Sequence, residues 1–231
     1  MKSEMKKYPQ SSRLLQFSEQ ILGAKVIDRP NRFLVIAKLG ESEIPVHLHD
    51  PGRLKELIFP KNDILIRQVS GLKTQYSILA ARGEDGWVFL DTRFHNLLAI
   101  KILGEPSQKE VKLGNKRIDL KYGDILVEVK GCNLLIDGGC YFPDAPTKRG
   151  SEQVEELIRY TKNGGSAKVI FLCFRKKANF VSINREMDPR LYHAFTQAIE
   201  SGIEVEAHKI YFSRNSLFYA GPIDFLISRD H

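Results

Sequence analysis

Asp119, Glu128 and Lys130 are residues whose types and spacing could do hydrolytic chemistry on a phosphodiester. They lie on two β-prone runs, Arg117-Ile118-Asp119-Leu120-Lys121-Tyr122 and Ile125-Leu126-Val127-Glu128-Val129-Lys130, separated by Gly123-Asp124. A two-residue turn of this kind joins antiparallel strands, with glycine free to take φ > 0. Facing residues then have numbers adding to 247, so Asp119 stands opposite Glu128 and Arg117 opposite Lys130. Side chains alternate along a strand, so these four share one face, and Ile118, Leu120, Ile125, Val127 and Val129 share the other. Counted from the turn, 119 and 128 form a non-hydrogen-bonded pair, the closer kind. Two like charges about 5 Å apart repel by about 3 kcal/mol at an effective dielectric near 20. Arg117, Lys130, a metal ion or a proton must offset that. The alternative is a half-buried hairpin with a solvated charged face, although such faces usually alternate in sign across the strands.

Paired carboxylates suit a hard ion such as Mg²⁺ or Mn²⁺, which keeps several waters and binds through one or two carboxylates plus a phosphate. Asp119, Glu128 and the backbone carbonyl of Val129 are the candidate ligands. Lys130 could orient or deprotonate a water, or meet the phosphate as a cation. Lys148 and Arg149 follow a loop, Tyr141–Pro146, expected beside the end of the Glu128–Lys130 strand, where they could grip a phosphate. His49-Asp50-Pro51-Gly52-Arg53 joins a strand to a short helix; it could present Arg53 to a phosphate, or be a turn with a solvated arginine. His47 and His49 could share a strand face, but no third metal ligand accompanies them. Asp91-Thr92-Arg93 reads as a linker, a helix cap or part of a cleft.

The chain has 231 residues, 42% hydrophobic and 27% charged, enough for one large domain or two small ones. No apolar run approaches the length of a membrane helix, and Met1–Pro9 is charged with no apolar stretch behind it, so no secretory signal is evident and a cytoplasmic location is expected. Cys132, Cys140 and Cys173 are odd in number and lack CxxC spacing, which suggests reduced thiols. The net charge of +7 favours a polyanionic partner such as nucleic acid.

The elements that must position these residues fall into two groups. Ala24–Arg29, Arg32–Leu39, Glu43–Leu48, Asp63–Val69, Gln75–Arg82 and Trp87–Asp91 read as strands, with a short helix over Leu54–Ile58. So many short strands in so few residues suggest a small barrel, the OB-fold being one candidate. From Thr92 the pattern changes to α/β with a mixed sheet: a helix over Asn96–Leu103, a strand at Glu110–Leu113, the hairpin, and a loop over Gly131–Gly150. A helix over Ser151–Asn163 with Ser151 as cap follows. Then come a fully apolar strand over Lys168–Arg175, a helix over Asp188–Ser201 capped by Asp188, and a strand over Ile203–Phe212. The expected boundary lies near Asp91–Arg93, giving units over 1–91 and 92–231.

Taken together, Asp50-Pro-Gly-Arg53, Asp91-Thr92 with Asn96, Arg117-Ile-Asp119, Val127-Glu-Val-Lys130, Phe142-Pro-Asp-Ala145 with Thr147 and Arg149-Gly150, and Asp188 resemble the sugar fermentation stimulation protein A (SfsA) family. The resemblance runs from about Arg32 to Phe212. It implies an N-terminal OB-like barrel followed by a nuclease-like domain of the PD-(D/E)XK class, with Asp119, Glu128 and Lys130 at the triad positions. It also implies DNA binding without strong sequence preference and a link to regulation of sugar use. Departures are Lys101, where members often carry a carboxylate, Gln153 in place of His, and His95 in place of Pro. Three expectations stand. The first is a protein that binds double-stranded DNA through Arg53, Arg117, Lys148 and Arg149 and holds Mg²⁺ or Mn²⁺ for cleavage. The second is a non-catalytic DNA-binding regulator with a relic site. The third is an RNA or single-strand binder in which Trp87, Phe33 and Tyr76 stack bases or, alternatively, belong to the core. A homodimer is compatible with any of them.

Overall fold

Short β-branched runs broken by turn residues make the first part of the chain antiparallel. The computed structural model describes residues 12–70 and 74–227, so the reading of Met1–Pro9 falls outside the described residues. Strands β2 (Ile21–Asn31), β3 (Leu34–Leu39), β4 (Ser42–His47), β5 (Asp63–Gln68), β6 (Tyr76–Gly83) and β7 (Gly86–Phe89) form one sheet in the order β4-β3-β2-β5-β6-β7. Parallel pairing of β4 with β6 at Val46↔Tyr76 and His47↔Ser77 closes five of them into an OB-like barrel. The short helix expected over Leu54–Ile58 does not form. That segment is a run of turns, entered by Leu54 at φ 47°, a left-handed conformation that no helix propagates.

The second sheet is mixed. Its members are β8 (Gln108–Leu113), β9 (Lys116–Tyr122), β10 (Ile125–Cys132), β11 (Leu134–Ile136), β12 (Gly139–Phe142), β13 (Ser166–Cys173), β14 (Phe180–Ile183), β15 (Glu204–Ser213) and β16 (Ser216–Leu226), in the order β11-β12-β14-β16-β15-β13-β10-β9-β8. β1 (Ser12–Gln16) precedes the barrel in sequence but pairs with β16. Three helices, α1 (His95–Leu103), α2 (Lys148–Lys162) and α3 (Pro189–Glu200), cover the sheet.

Two apolar clusters flank this sheet, which explains the uninterrupted hydrophobic run of β13. Val169, Phe171 and Cys173 enter a core shared with Val154, Leu157, Leu191 and Phe195 of α2 and α3. Ile170 and Leu172 enter a core shared with Leu98 and Ile102 of α1 and with the barrel's Val35, Ile64 and Leu79. Phe89 sits at that seam, its ring 5.5–6.3 Å from those of Phe17, Phe94, Phe174 and Phe212.

The stretch expected as a loop over 131–150 holds the β11–β12 hairpin, turned by Asp137-Gly138, both at positive φ. Helix α2 starts at Lys148, ahead of the expected Ser151. Thr147 is its cap, accepting the Gly150 N–H, and Ser151 is buried in the first turn. Cys132, Cys140 and Cys173 are buried free thiols.

Candidate active site

The Gly123-Asp124 turn sets the register derived above: Tyr122↔Ile125, Lys121↔Leu126 and Leu120↔Val127 are the paired residues of β9 and β10. Beyond Leu120 the main-chain ladder opens, and the Asp119 side chain takes the vacated place. Its Oδ2 accepts the Val129 N–H at 2.8 Å and its Oδ1 accepts Asn96 Nδ2 of α1 at 3.0 Å. This opening corrects two expectations: the ladder stops before Asp119 can pair with Glu128 or Arg117 with Lys130. Ile118 also leaves the face of Leu120, Val127 and Val129 and joins Leu126 in the core under α2.

Glu128 is 1% exposed. Lys130 Nζ donates to Glu128 Oε1 at 2.6 Å and to Gln153 Oε1 at 2.9 Å. Gln153 in turn donates from Nε2 to the Arg117 carbonyl at 3.2 Å, so α2 holds the lysine through a residue tied to β9. Glu128 Oε2 is buried without a partner among the described residues. Burial pushes the Glu128 carboxyl up to about 7; nearby Lys130 opposes this, Asp119 adds to it, and Arg149 opposes it more weakly. The expected repulsion is thus met by Lys130 and by a readily held proton.

A cleft of about 700 Å³ opens beside this pair, between the barrel and the second sheet. Val129 and Lys130 line one wall and Arg29, Arg32 and Arg53 the other. Two loops meet across it. Asp144 Oδ2 accepts the Leu54 N–H at 2.9 Å, and Asn133 Nδ2 donates to Asp50 Oδ2 at 3.0 Å. Arg29 donates to the carbonyls of Gly52, Arg53 and Arg32. Desolvation, with Asp144 nearby, raises the Asp50 carboxyl to about 6. The His95 ring also lines the cleft, packed on Phe174 and against Gly131; burial lowers it to about 4.

The structure therefore gathers Asp119, Glu128, Val129 and Lys130, with Arg53 across the cleft. Arg149 is exposed on the first turn of α2, close enough to act on Glu128. Lys148 is solvated, its side chain 81% exposed and 3.8 Å from Glu152. The Arg117 side chain is exposed and does not line the cleft. His47 and His49 meet edge to face, ring centroids 4.3 Å apart. Sequence reasoning gave no role to Asn96, Asn133 or Gln153; each acts through a partner 23 or more residues away.

An orphaned carboxylate oxygen beside a second carboxylate is a donor set that fits a hard divalent ion. No group of three or more His, Cys, Asp or Glu side chains is placed for a metal among the described residues, so other ligands would come from main chain, water or phosphate. No helix among the described residues is long and apolar enough to cross a membrane.

Comparison with known proteins agrees with this architecture. The family model for the SfsA N-terminal OB domain matches residues 27–90, and that for the sugar fermentation stimulation protein RE domain matches residues 93–216. A sugar fermentation stimulation protein homolog of Saccharolobus solfataricus is 43% identical over 208 residues, 90% of this chain and 87% of that protein. One of Sulfolobus acidocaldarius is 44% identical over 198 residues, 86% of this chain and 87% of its own length. The structure of Pyrococcus furiosus SfsA in complex with Ca²⁺ superposes with a TM-score of 0.89 at 23% identity, covering 94% of this chain and all of that one, which shows a shared fold. On these matches, the chain belongs to the sugar fermentation stimulation protein family.

Proposed function

We propose that the protein binds DNA mainly through phosphates and hydrolyses phosphodiester bonds at Asp119, Glu128 and Lys130. The observation that carries this reading is the buried, unpartnered Oε2 of Glu128 beside Asp119. Burying a carboxyl this way is costly unless something uses it. Asp119, Glu128 and the Val129 carbonyl would hold Mg²⁺ or Mn²⁺. When bound, the ion lowers the pKa of a water ligand and stabilises charge on phosphate oxygens. Asn96 fixes the Asp119 carboxylate, and Gln153 fixes the Lys130 ammonium. Lys130 offers the charge that a phosphate oxygen needs as its negative charge grows. Arg53 across the cleft and the exposed Arg149, with Lys148 and Arg117 further out, would hold phosphates of double-stranded DNA, giving sequence-independent, salt-sensitive binding. The Ca²⁺ of the Pyrococcus furiosus protein supports a divalent ion in this family.

The test is cleavage of labelled duplex and single-stranded DNA with Mg²⁺ or Mn²⁺. Wild type should cut, and Lys130→Ala and Glu128→Ala should bind without cutting. No cleavage by any of the three, with binding intact, would instead favour a DNA-binding regulator of sugar use. One observation favours that second reading: Lys130 Nζ already stands 2.6 Å from Glu128 Oε1 and neutralises it. Saturable Mn²⁺ binding that is lost in Asp119→Ala would count against it.

A further inference from the structure

Three aromatic side chains could stack against a base, and the structure separates them. Trp87 and Tyr76 pack against the barrel core, whereas Phe33 is 45% exposed. Phe33 lies in the β2–β3 turn, directly after Asn31 and Arg32, which line the cleft. Its main chain is fixed at both polar groups: the N–H donates to Asn31 Oδ1 at 2.9 Å, and the carbonyl accepts the Leu48 N–H at 2.9 Å. The ring is backed by His47, 12° from parallel with centroids 6.3 Å apart. His47 meets His49, whose carbonyl accepts Thr92 Oγ1 at 3.1 Å, and Thr92 again lines the cleft. A run of rings thus adjoins cleft-lining residues on the barrel side.

Cations accompany it. The guanidinium groups of Arg32 and Arg53 are exposed and make no hydrogen bond or ion pair among the described residues. The hollow beside Trp87, about 520 Å³, is different: its Lys25 and Lys38 are paired with Asp63 and Glu41, and Arg82 covers the Trp87 ring at 5.3 Å. A solvent-facing ring on an anchored main chain, flanked by unpaired arginines, matches a nucleotide, with an apolar face for the base and charge for the phosphates.

We propose that Phe33, backed by His47, is a stacking platform for a nucleobase, and that the DNA whose phosphates Arg53 holds presents an unpaired strand at this barrel-side edge of the cleft. Inside a duplex both faces of each base are already stacked, so Phe33 needs an unpaired base or the outer face of a terminal pair; the blunt duplex tests the second, and equal Phe33-dependent tightening on it would overturn the unpaired strand. This rests on the preceding reading that Arg53 and its neighbours bind DNA phosphates, and it names the state of the strand. The unpaired strand could be free or the frayed end of a duplex.

The test is fluorescence anisotropy at fixed salt, with wild type and Phe33→Leu, a substitution that keeps an apolar side chain on an exposed turn. The probes are an oligo-dT strand of about 16 nucleotides, an abasic strand of equal length, a blunt duplex, and that duplex with an unpaired tail. Wild type should bind oligo-dT about tenfold more tightly than the abasic strand. Phe33→Leu should remove that difference and leave abasic binding unchanged. Phe33-dependent tightening on the tailed duplex identifies a frayed end as a source of the strand; tightening on oligo-dT alone identifies a free strand. Equal wild-type affinity for abasic and base-bearing strands overturns the platform and leaves phosphate binding standing. Binding to none of the probes overturns both readings.

Discussion

Desolvation and nearby Asp144 make a charge costly at Asp50 and raise its carboxyl to about 6, although the Gly52 N–H donates to it. A raised carboxyl binds its proton more tightly in the folded than in the unfolded chain. Its contribution is therefore fully present below about pH 4 and is lost as the pH rises through about 6. Glu128, raised to about 7, adds a slope of the same sign. Asp50→Asn should flatten the part of the slope between about pH 4 and 6 and stabilise the protein at pH 8 by on the order of 2 kcal/mol. Asn133 Oδ1 has no partner among the described residues, so that amide can turn to accept the new N–H. Urea unfolding of both proteins across this pH range is the check; parallel curves would refute the account. Gly131 tests the wall of the cleft. A methyl group there would overlap the His95 ring, which is packed on Phe174 at 5.2 Å, so the ring must shift. Gly131→Ala should cost about 1–3 kcal/mol. Added to His95→Ala it should cost much less, because the two changes share one contact.

Helix starts show what local sequence could and could not tell. Both Thr147 and Ser151 are plausible caps by residue type, and only the structure picks Thr147. Asp188 caps α3 through the Leu191 N–H and also accepts the Thr147 N–H, joining the starts of two helices. Thr147→Ala should therefore cost about 1 kcal/mol, and Asp188→Ala about twice that, measured by thermal unfolding. The hairpin register was legible as far as Leu120↔Val127 because a two-residue turn fixes it. The opening of the ladder at Asp119 was not legible, since it depends on Asn96 of a helix 23 residues earlier. The β11–β12 hairpin had its own signal in Asp137-Gly138, but its strands are only three and four residues long, too short for alternation to register. β14 was passed over for the same reason. The barrel's strands were legible from their turns, whereas the contact of its 50–54 loop with Asp144 spans 90 residues and leaves no local pattern.

Across the whole chain, the barrel and the second sheet are bound by charge as well as by apolar packing. Arg175 Nη2 and Asp85 Oδ1 are 2.9 Å apart, with side chains 2% and 1% exposed, and Arg175 also donates to the Asn133 carbonyl. Removing one partner leaves the other charge buried, so Asp85→Ala should cost about 3–5 kcal/mol. Asp85→Ala with Arg175→Met should recover much of that loss; a double variant no more stable than Asp85→Ala would count against a buried pair. The Phe89 seam carries a different consequence. A chain cut between Leu90 and Thr92 would yield two pieces that each lack part of the same interior: the first would bare Phe89, the second Phe174 and Phe212. The first piece would also carry off β1, the strand that belongs beside β16. Neither half should be a foldable unit by itself, yet together they hold complementary surfaces. Co-expressed halves should reassemble into a complex that survives purification, and each half expressed alone should be found in inclusion bodies.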